Sequence, residues 1–255
     1  MPPGSEVRGS RHGRQGGPAV TFESMGTVVS LRLGDDGVDG RVRRMAGAAA
    51  VGTFRRWDER FSLYSKESEL SRIARDEISL TEASPTLRDC YALALEWRDR
   101  TSGVFTPHRA DGVVDLSGVV KGLAIAQTGE ILAGLGLTAW SINAGGDILT
   151  AGRPSPDTDW MVGIVDPMDR GTLLAAVPLV GALRSVATSG CAERGEHIWT
   201  ALPGAVSPYR QVSVFAGDIV TADVLATAII AGGEDALNDS TDRWPIEVLA
   251  VLRDG

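Results

Sequence analysis

The stretch that decides the fold is Asp115–Gly122, DLSGVVKG, read together with a second acidic stretch, TADVLATAII, at Thr221–Ile230. Each stretch places one carboxylate at the start of an otherwise apolar element. In the first, the sequence GVVDL is typical of a strand end, and Ser117 is a candidate N-cap for the helix that follows. In the second, Thr221 is a candidate N-cap for a helix apolar enough to be buried, with Asp223 in its first turn.

Asp223 has two interpretations. A carboxylate at a helix start stabilises the helix dipole and the free N–H groups there, so a purely structural role fits. Thr227 favours a functional role, since it lies one turn on and both oxygen-bearing side chains can face the same way. One carboxylate with neutral oxygens suits Mg²⁺, which binds at about 2.0–2.1 Å and usually keeps phosphates or water in its shell. Two side chains are too few to establish a metal, and both interpretations stay open.

The composition is that of a globular protein. The chain has 255 residues, of which 43% are hydrophobic, and its mean hydropathy is +0.01, so it can bury a substantial core. Its net charge of −8 argues against nucleic acid or an anionic membrane surface as the main partner. No stretch approaches the roughly 20 apolar residues of a membrane span.

The N-terminal residues and the cysteines indicate the compartment and the redox state that we expect for the protein. Residues 1–18 are rich in Gly, Pro and Arg and lack the apolar run of a signal peptide, so we expect a disordered tail and a cytoplasmic protein. Residues 19–255 are expected to form one domain. Cys90 and Cys191 match no zinc spacing and are expected to be reduced.

Helical and strand patterns alternate along the chain. Helices are predicted over Arg41–Ser62, from a Ser68 cap, and over Thr86–Arg100. Strands are predicted at Val20–Leu33 with a break at Met25–Thr27, at Ala139–Ala151 around a Gly145-Gly146 turn, and at Trp160–Val165, Leu173–Val180, Leu183–Ala187 and Arg210–Phe215. The clustering of strands in the C-terminal half predicts an α/β protein with a mixed sheet and packed helices rather than a regular doubly wound sheet.

Three loop side chains are candidates for a site. Tyr64 lies on a polar loop, where an aromatic ring can stack on a planar ligand, although a core role fits equally. His108 follows a Gly/Pro turn, and a solvated loop histidine is the simpler interpretation. His197 lies in a polar turn between apolar runs.

The order of short motifs, more than any one of them, indicates a family. They run MGT (Met25–Thr27), FSLYSKESELSRI (Phe61–Ile73), SGVFTP (Ser102–Pro107), VDLSGVVKG (Val114–Gly122), INAGGDI (Ile142–Ile148), VGIVDP (Val162–Pro167), VATSG (Val186–Gly190), EHI (Glu196–Ile198) and ADVLATA (Ala222–Ala228). This series resembles the ApbE-type FAD:protein FMN transferases from about Met25 to Gly233.

The resemblance implies a T-fold-like protein with an FAD cleft between two sheet-and-helix lobes. It also implies a Mg²⁺-dependent enzyme that cleaves FAD, transfers FMN to a Thr or Ser hydroxyl of an acceptor protein and releases AMP. By position, Gly118, Asp223 and Thr227 would hold the metal, and His197 would be the base. The implied FAD contacts are Met25, Tyr64, Val104, Phe105, Thr106, Asp115, Lys121 and Ile198.

The turn after His197 departs from the family pattern. Where the family usually has an Ile-Asp-Pro-Arg-type turn, this chain has Trp199–Gly204, with Thr200 in place of the acidic residue. An acidic residue there could orient the imidazole or bind a cation. Thr106 also stands where an Asp is common. An FAD-binding protein without transfer activity, or an FAD pyrophosphatase that gives FMN and AMP, therefore stays an alternative, and so does an α/β domain whose acidic residues only cap helices.

Overall fold

The computed structural model describes residues 19–34, 37–190 and 207–253. The helices are α1 (Gly40–Phe61), α2 (Glu69–Ala74), α3 (Pro85–Arg100), α4 (Ser117–Gly134) and α5 (Ile219–Arg243). The strands are β1 (Val20–Ser24), β2 (Thr27–Leu33), β3 (Trp140–Ala144), β4 (Asp147–Ala151), β5 (Trp160–Val165), β6 (Leu173–Leu179), β7 (Ser185–Gly190), β8 (Tyr209–Ala216) and β9 (Glu247–Leu252).

The strands form one large sheet and one small one. The large sheet has seven strands in the order β1-β2-β3-β4-β7-β8-β9, and β5 and β6 form a separate two-stranded sheet. All of these strand pairs are antiparallel. The α/β class with packed helices is therefore confirmed, while the paired strands run antiparallel instead of in mixed directions. Helices α1–α4 lie between β2 and β3 in the sequence, and the two strands nevertheless pair directly in the sheet.

The large sheet is covered on both faces. Successive side chains of a strand point to opposite faces of the sheet, so Val186 and Ala187 of β7 lie on opposite faces. Ala187 belongs to the main core, which the helices share, whereas Val186 belongs to a second cluster with Trp160, Val162 and Ile164 of β5. The molecule is thus layered, with helices on one face of the sheet and the β5–β6 hairpin on the other.

Side-chain caps start several helices. Ser68 caps α2 as predicted, accepting a hydrogen bond from the Ser71 amide at 3.0 Å. Two other predictions were wrong. Asp218, not Thr221, caps α5, because the helix begins early enough to include Ile219, which is buried. Ser117 is the first residue of α4, and Leu116 occupies the N-cap position without a side-chain hydrogen bond.

Other boundaries were also different from those predicted. The GVVDL sequence forms no strand, and only Val114 makes an isolated bridge, to His108. The strand expected at Leu183–Ala187 starts two residues later and runs to Gly190. The predicted tail at residues 1–18 lies outside the described residues. Within the described ranges, no helix has an apolar stretch long enough to cross a bilayer.

Candidate functional site

Two tight turns lie side by side at one end of the large sheet. Met25 and Gly26 connect β1 to β2 with φ of 53° and 68°, and Gly145 and Gly146 connect β3 to β4 with φ of 63° and 97°. Positive φ at both central residues is the type I′ geometry of two-residue hairpins. The Gly145 amide donates to the Val28 carbonyl at 3.2 Å. The break predicted at Met25–Thr27 is therefore a hairpin turn, and it packs against the glycine turn.

Gly145 should be the most restrictive position of these turns. A Cβ atom there would lie 2.3 Å from Thr27 Oγ1, whereas a Cβ atom on Gly26, which has nearly the same φ, would meet nothing within 4 Å. We expect Gly145→Ala to lower the free energy of unfolding by about 1–3 kcal/mol more than Gly26→Ala does. Urea denaturation of both variants measures the difference, and equal losses would contradict the close packing of the two turns.

Helix α1 holds the Met25 turn. Asp58 Oδ2 accepts a hydrogen bond from the Met25 amide at 2.9 Å and one from Ser24 Oγ at 3.3 Å. Asp58 and Ser24 also line an open pocket of about 500 Å³, to which Tyr64 and Phe22 contribute. The Tyr64 side chain is 90% exposed, so a core role is excluded for it and a planar ligand could reach its ring.

The segment before α4 places an aromatic ring on the first turn of that helix. Phe105 is buried, and its Cε2 atom lies 2.7 Å from where a Cβ atom on Gly118 would be. Val104 packs in the same way on Gly232 of α5, with its Cγ1 atom 2.6 Å from the Cβ position. Val104 and Phe105 thus pack against both helices of the predicted metal site, because glycine leaves the space for them.

Asp115 has a structural partner of its own. Its Oδ1 atom accepts a hydrogen bond from the Ser117 amide at 2.9 Å, which satisfies one of the free N–H groups at the start of α4. Thr106 lies on the neighbouring loop, where its Oγ1 atom accepts from the His108 amide at 3.2 Å. The FAD contacts implied for Asp115 and Thr106 remain predictions.

Asp223 faces α4. It lies in the second turn of α5, not the first as predicted, and is 6% exposed. Its Oδ2 atom lies 3.5 Å from the position of a Cβ atom on Gly122, one turn of α4 beyond Gly118. The capping of α5 is done by Asp218, which accepts from the Thr221 amide at 2.8 Å. Asp218, and not Asp223, therefore occupies the N-cap position of α5.

Thr227 lies one turn beyond Asp223, and its hydroxyl meets the end of β7. Its Oγ1 atom is 3.3 Å from Ser189 Oγ. β7 ends at Gly190, whose partner on β8 is Gln211. The α5 oxygen groups and the end of β7 therefore belong to one region.

Lys121 lies in a buried ion pair that sequence reasoning missed. Its ammonium pairs with Asp147 Oδ2, and the two side chains are 9% and 1% exposed. The other oxygen of Asp147 accepts a hydrogen bond from the Thr188 amide of β7 at 3.1 Å. Asp147 belongs to the INAGGDI motif, directly after the Gly145-Gly146 turn, so the motif already pointed to this residue. Its pairing with Lys121 of α4 is a tertiary contact that the motif does not indicate.

The oxygen groups fit a magnesium ion. Asp223, Thr227 and the Gly118 backbone offer one carboxylate, one hydroxyl and one carbonyl, all hard donors of the kind that Mg²⁺ takes, and few enough to leave positions for phosphate oxygens. In the described part of the chain, no three His, Cys, Asp or Glu side chains group as a metal site would require. Three protein oxygens leave coordination positions open, so this donor set suits a metal shared with a phosphate ligand.

Two other candidate groups in the described residues, Cys90 and His108, have surroundings of their own. Cys90 is buried, and burial raises the pKa of its thiol to about 12, so it stays protonated at neutral pH. The His108 ring hydrogen-bonds to Tyr91 Oη at 2.8 Å and is not a lone solvated histidine. His197, Ile198 and Cys191 lie outside the described residues.

A family model agrees with the motif series. The model described as the ApbE family matches residues 25–111 and 107–250 of this chain. No curated protein sequence gives a significant match.

Solved structures share the fold. The chain is similar to the ApbE protein of Thermotoga maritima, with 19% identity, a TM-score of 0.76 and coverage of 93% of this chain and 95% of that one. It is also similar to the flavinyl transferase ApbE of Pseudomonas stutzeri, with 16% identity, a TM-score of 0.72 and 93% of both chains covered. A third similar structure is the flavin transferase ApbE of Vibrio cholerae, with 18% identity and a TM-score of 0.69. The match covers 92% of this chain and 93% of that one. At these identities the likeness concerns the fold.

Proposed function

Because the chain belongs to the ApbE family, we propose that it transfers FMN from FAD to a Thr or Ser hydroxyl of an acceptor protein, with Mg²⁺, and releases AMP. Neighbours of the same fold are named flavin and flavinyl transferases, which supports the proposal. The observation that carries it is the burial of the Asp223 carboxylate against Gly122, the residue that follows Lys121. The Asp223 carboxylate, which could bind a cation, and the Lys121 ammonium, which could bind a phosphate, thus lie at the same turn of α4.

The proposed reaction is a displacement at phosphorus. The acceptor hydroxyl oxygen attacks the phosphorus of the FMN half of FAD, the bond from that phosphorus to the bridging oxygen breaks, and AMP leaves with the bridging oxygen. The hydroxyl proton passes to a base, and the family resemblance makes His197 our candidate. Such general-base help is typically worth about 10²–10⁴-fold in rate.

The chain's own residues bind and orient the pyrophosphate. Lys121 has three N–H donors, of which Asp147 uses one, so donors remain for phosphate oxygens. A divalent ion held by Gly118, Asp223 and Thr227 would neutralise charge that develops on the leaving phosphate. Met25, Tyr64, Ile198 and the Val104–Thr106 loop are proposed to line the flavin site, and Asp115 to contact FAD.

The test is an assay with the whole chain. The purified protein is incubated with FAD, Mg²⁺ and an acceptor protein that carries a candidate Thr, and covalent flavin and free AMP are measured together. We expect equal amounts of AMP and flavinylated acceptor, and neither product with EDTA. Bound FAD without covalent flavin on any acceptor tested would refute the transferase.

A pyrophosphatase is the second candidate. The replaced turn at Trp199–Gly204 favours it, because hydrolysis needs the metal and phosphate groups but no acceptor. AMP release without an acceptor protein would identify this activity. Bound FAD with no AMP under either condition would identify a flavin-binding protein instead.

A further inference from the structure

Asp147 is the most deeply buried carboxylate of the site. Its side chain is 1% exposed and faces the ammonium of Lys121 on α4. Taking two charges out of water is costly, so a buried ion pair is weak support for stability. A positional role accounts better for this pair, which lies where α4 and α5 meet the sheet.

The sheet fixes the carboxylate of Asp147. The residue pairs with Ala144 across the β3–β4 turn, and its Oδ1 atom accepts from the Thr188 amide of β7 at 3.1 Å. Oδ2 is thereby directed at Lys121. A lysine side chain is long and flexible, and its charge is a point without preferred direction. The fixed Asp147 carboxylate therefore holds the Lys121 ammonium in one position.

Lys121 lies beside the proposed metal site. The next residue is Gly122, where a Cβ atom would lie 3.5 Å from Asp223 Oδ2, and Gly118 is one turn earlier on the same helix. We propose that Asp147 is a positioning residue that holds the Lys121 ammonium toward the pyrophosphate of FAD. The proposal rests on the function proposed above, and it assigns to Asp147 no contact with FAD.

The test compares four proteins: the natural chain, Asp147→Asn, Lys121→Met and the double variant. FAD affinity is measured by quenching of flavin fluorescence, with EDTA and without acceptor so that no turnover occurs. We expect Asp147→Asn to weaken FAD binding by about 10-fold or more, as loss of a residue that orients a ligand-binding group often does. The double variant should bind FAD as weakly as Lys121→Met and no more weakly.

Non-additivity separates positioning from a general structural role. If Asp147 acts only through Lys121, removing it has no further effect once the lysine is gone. Losses that multiply in the double variant would overturn the proposal, as would unchanged affinity in Asp147→Asn. Should Asp147→Asn not fold, Asp147→Glu takes its place, because it keeps the charge but displaces the carboxylate; we then expect weaker FAD binding, and unchanged affinity would overturn the proposal.

A control addresses ion pairs in general. Asp159→Asn removes the partner of Arg153 in a more exposed pair, and we expect FAD affinity to stay unchanged. Failure of the natural chain to bind FAD would overturn both the proposed function and this inference. Binding by the natural chain and equally by Asp147→Asn would overturn this inference alone.

Discussion

Asp223→Asn is expected to slow both FMN transfer and AMP release by at least about 100-fold, and to remove the difference between assays with Mg²⁺ and with EDTA. Asparagine keeps the size of the side chain but removes the negative charge that would hold the cation. The carboxylate is 6% exposed and faces α4, so water or a mobile side chain cannot easily replace it.

A binding measurement makes the Asp223 prediction independent of turnover. A ligand that binds only the folded state stabilises it, by about 2.7 kcal/mol at 100 times its dissociation constant. We therefore expect Mg²⁺ with FAD to raise the Tm of the natural chain more than FAD alone, and this increment to vanish in Asp223→Asn.

The matched control is Asp218→Asn on the same helix. Asp218 is exposed and caps α5, and asparagine is about as good a cap, so rate and stability should both stay close to natural. If Asp223→Asn kept the natural Mg²⁺ dependence, or if Asp218→Asn lost it, the metal site would have to be placed elsewhere.

The sequence predicted elements whose signals are local. Ser68 caps α2 because the hydroxyl and the amide it accepts from are three residues apart, and the Gly145-Gly146 pair predicts its own turn. The start of α5 was missed because Thr221 and Asp218 are both good cap residues, and burial of Ile219 decides between them. That decision depends on the core, which is assembled from the whole chain.

Contacts between distant segments were beyond sequence reasoning. Motif order indicated the family and named Lys121 and Asp223, yet nothing local joins Lys121 to Asp147, or Gly122 to Asp223. The packing of Phe105 on Gly118 likewise follows from where two segments meet. Residue types could suggest the groups of the site, and only the tertiary structure could bring them together.

His197→Ala is expected to reduce FMN transfer by about 10²–10⁴-fold while FAD affinity and Mg²⁺ dependence stay close to natural. In the sequence His197 follows β7, which ends at Gly190, next to Ser189, whose hydroxyl oxygen lies 3.3 Å from that of Thr227.

The matched control for His197→Ala is His108→Ala, because His108 is bound to Tyr91 and lies outside the proposed machinery. Flavinylated acceptor and AMP are measured for each variant. If His197 is the base of transfer, its loss removes covalent flavin at undiminished FAD binding, whereas His108→Ala leaves both products. Transfer at the natural rate in His197→Ala would exclude the histidine as base, since the alanine side chain cannot accept a proton.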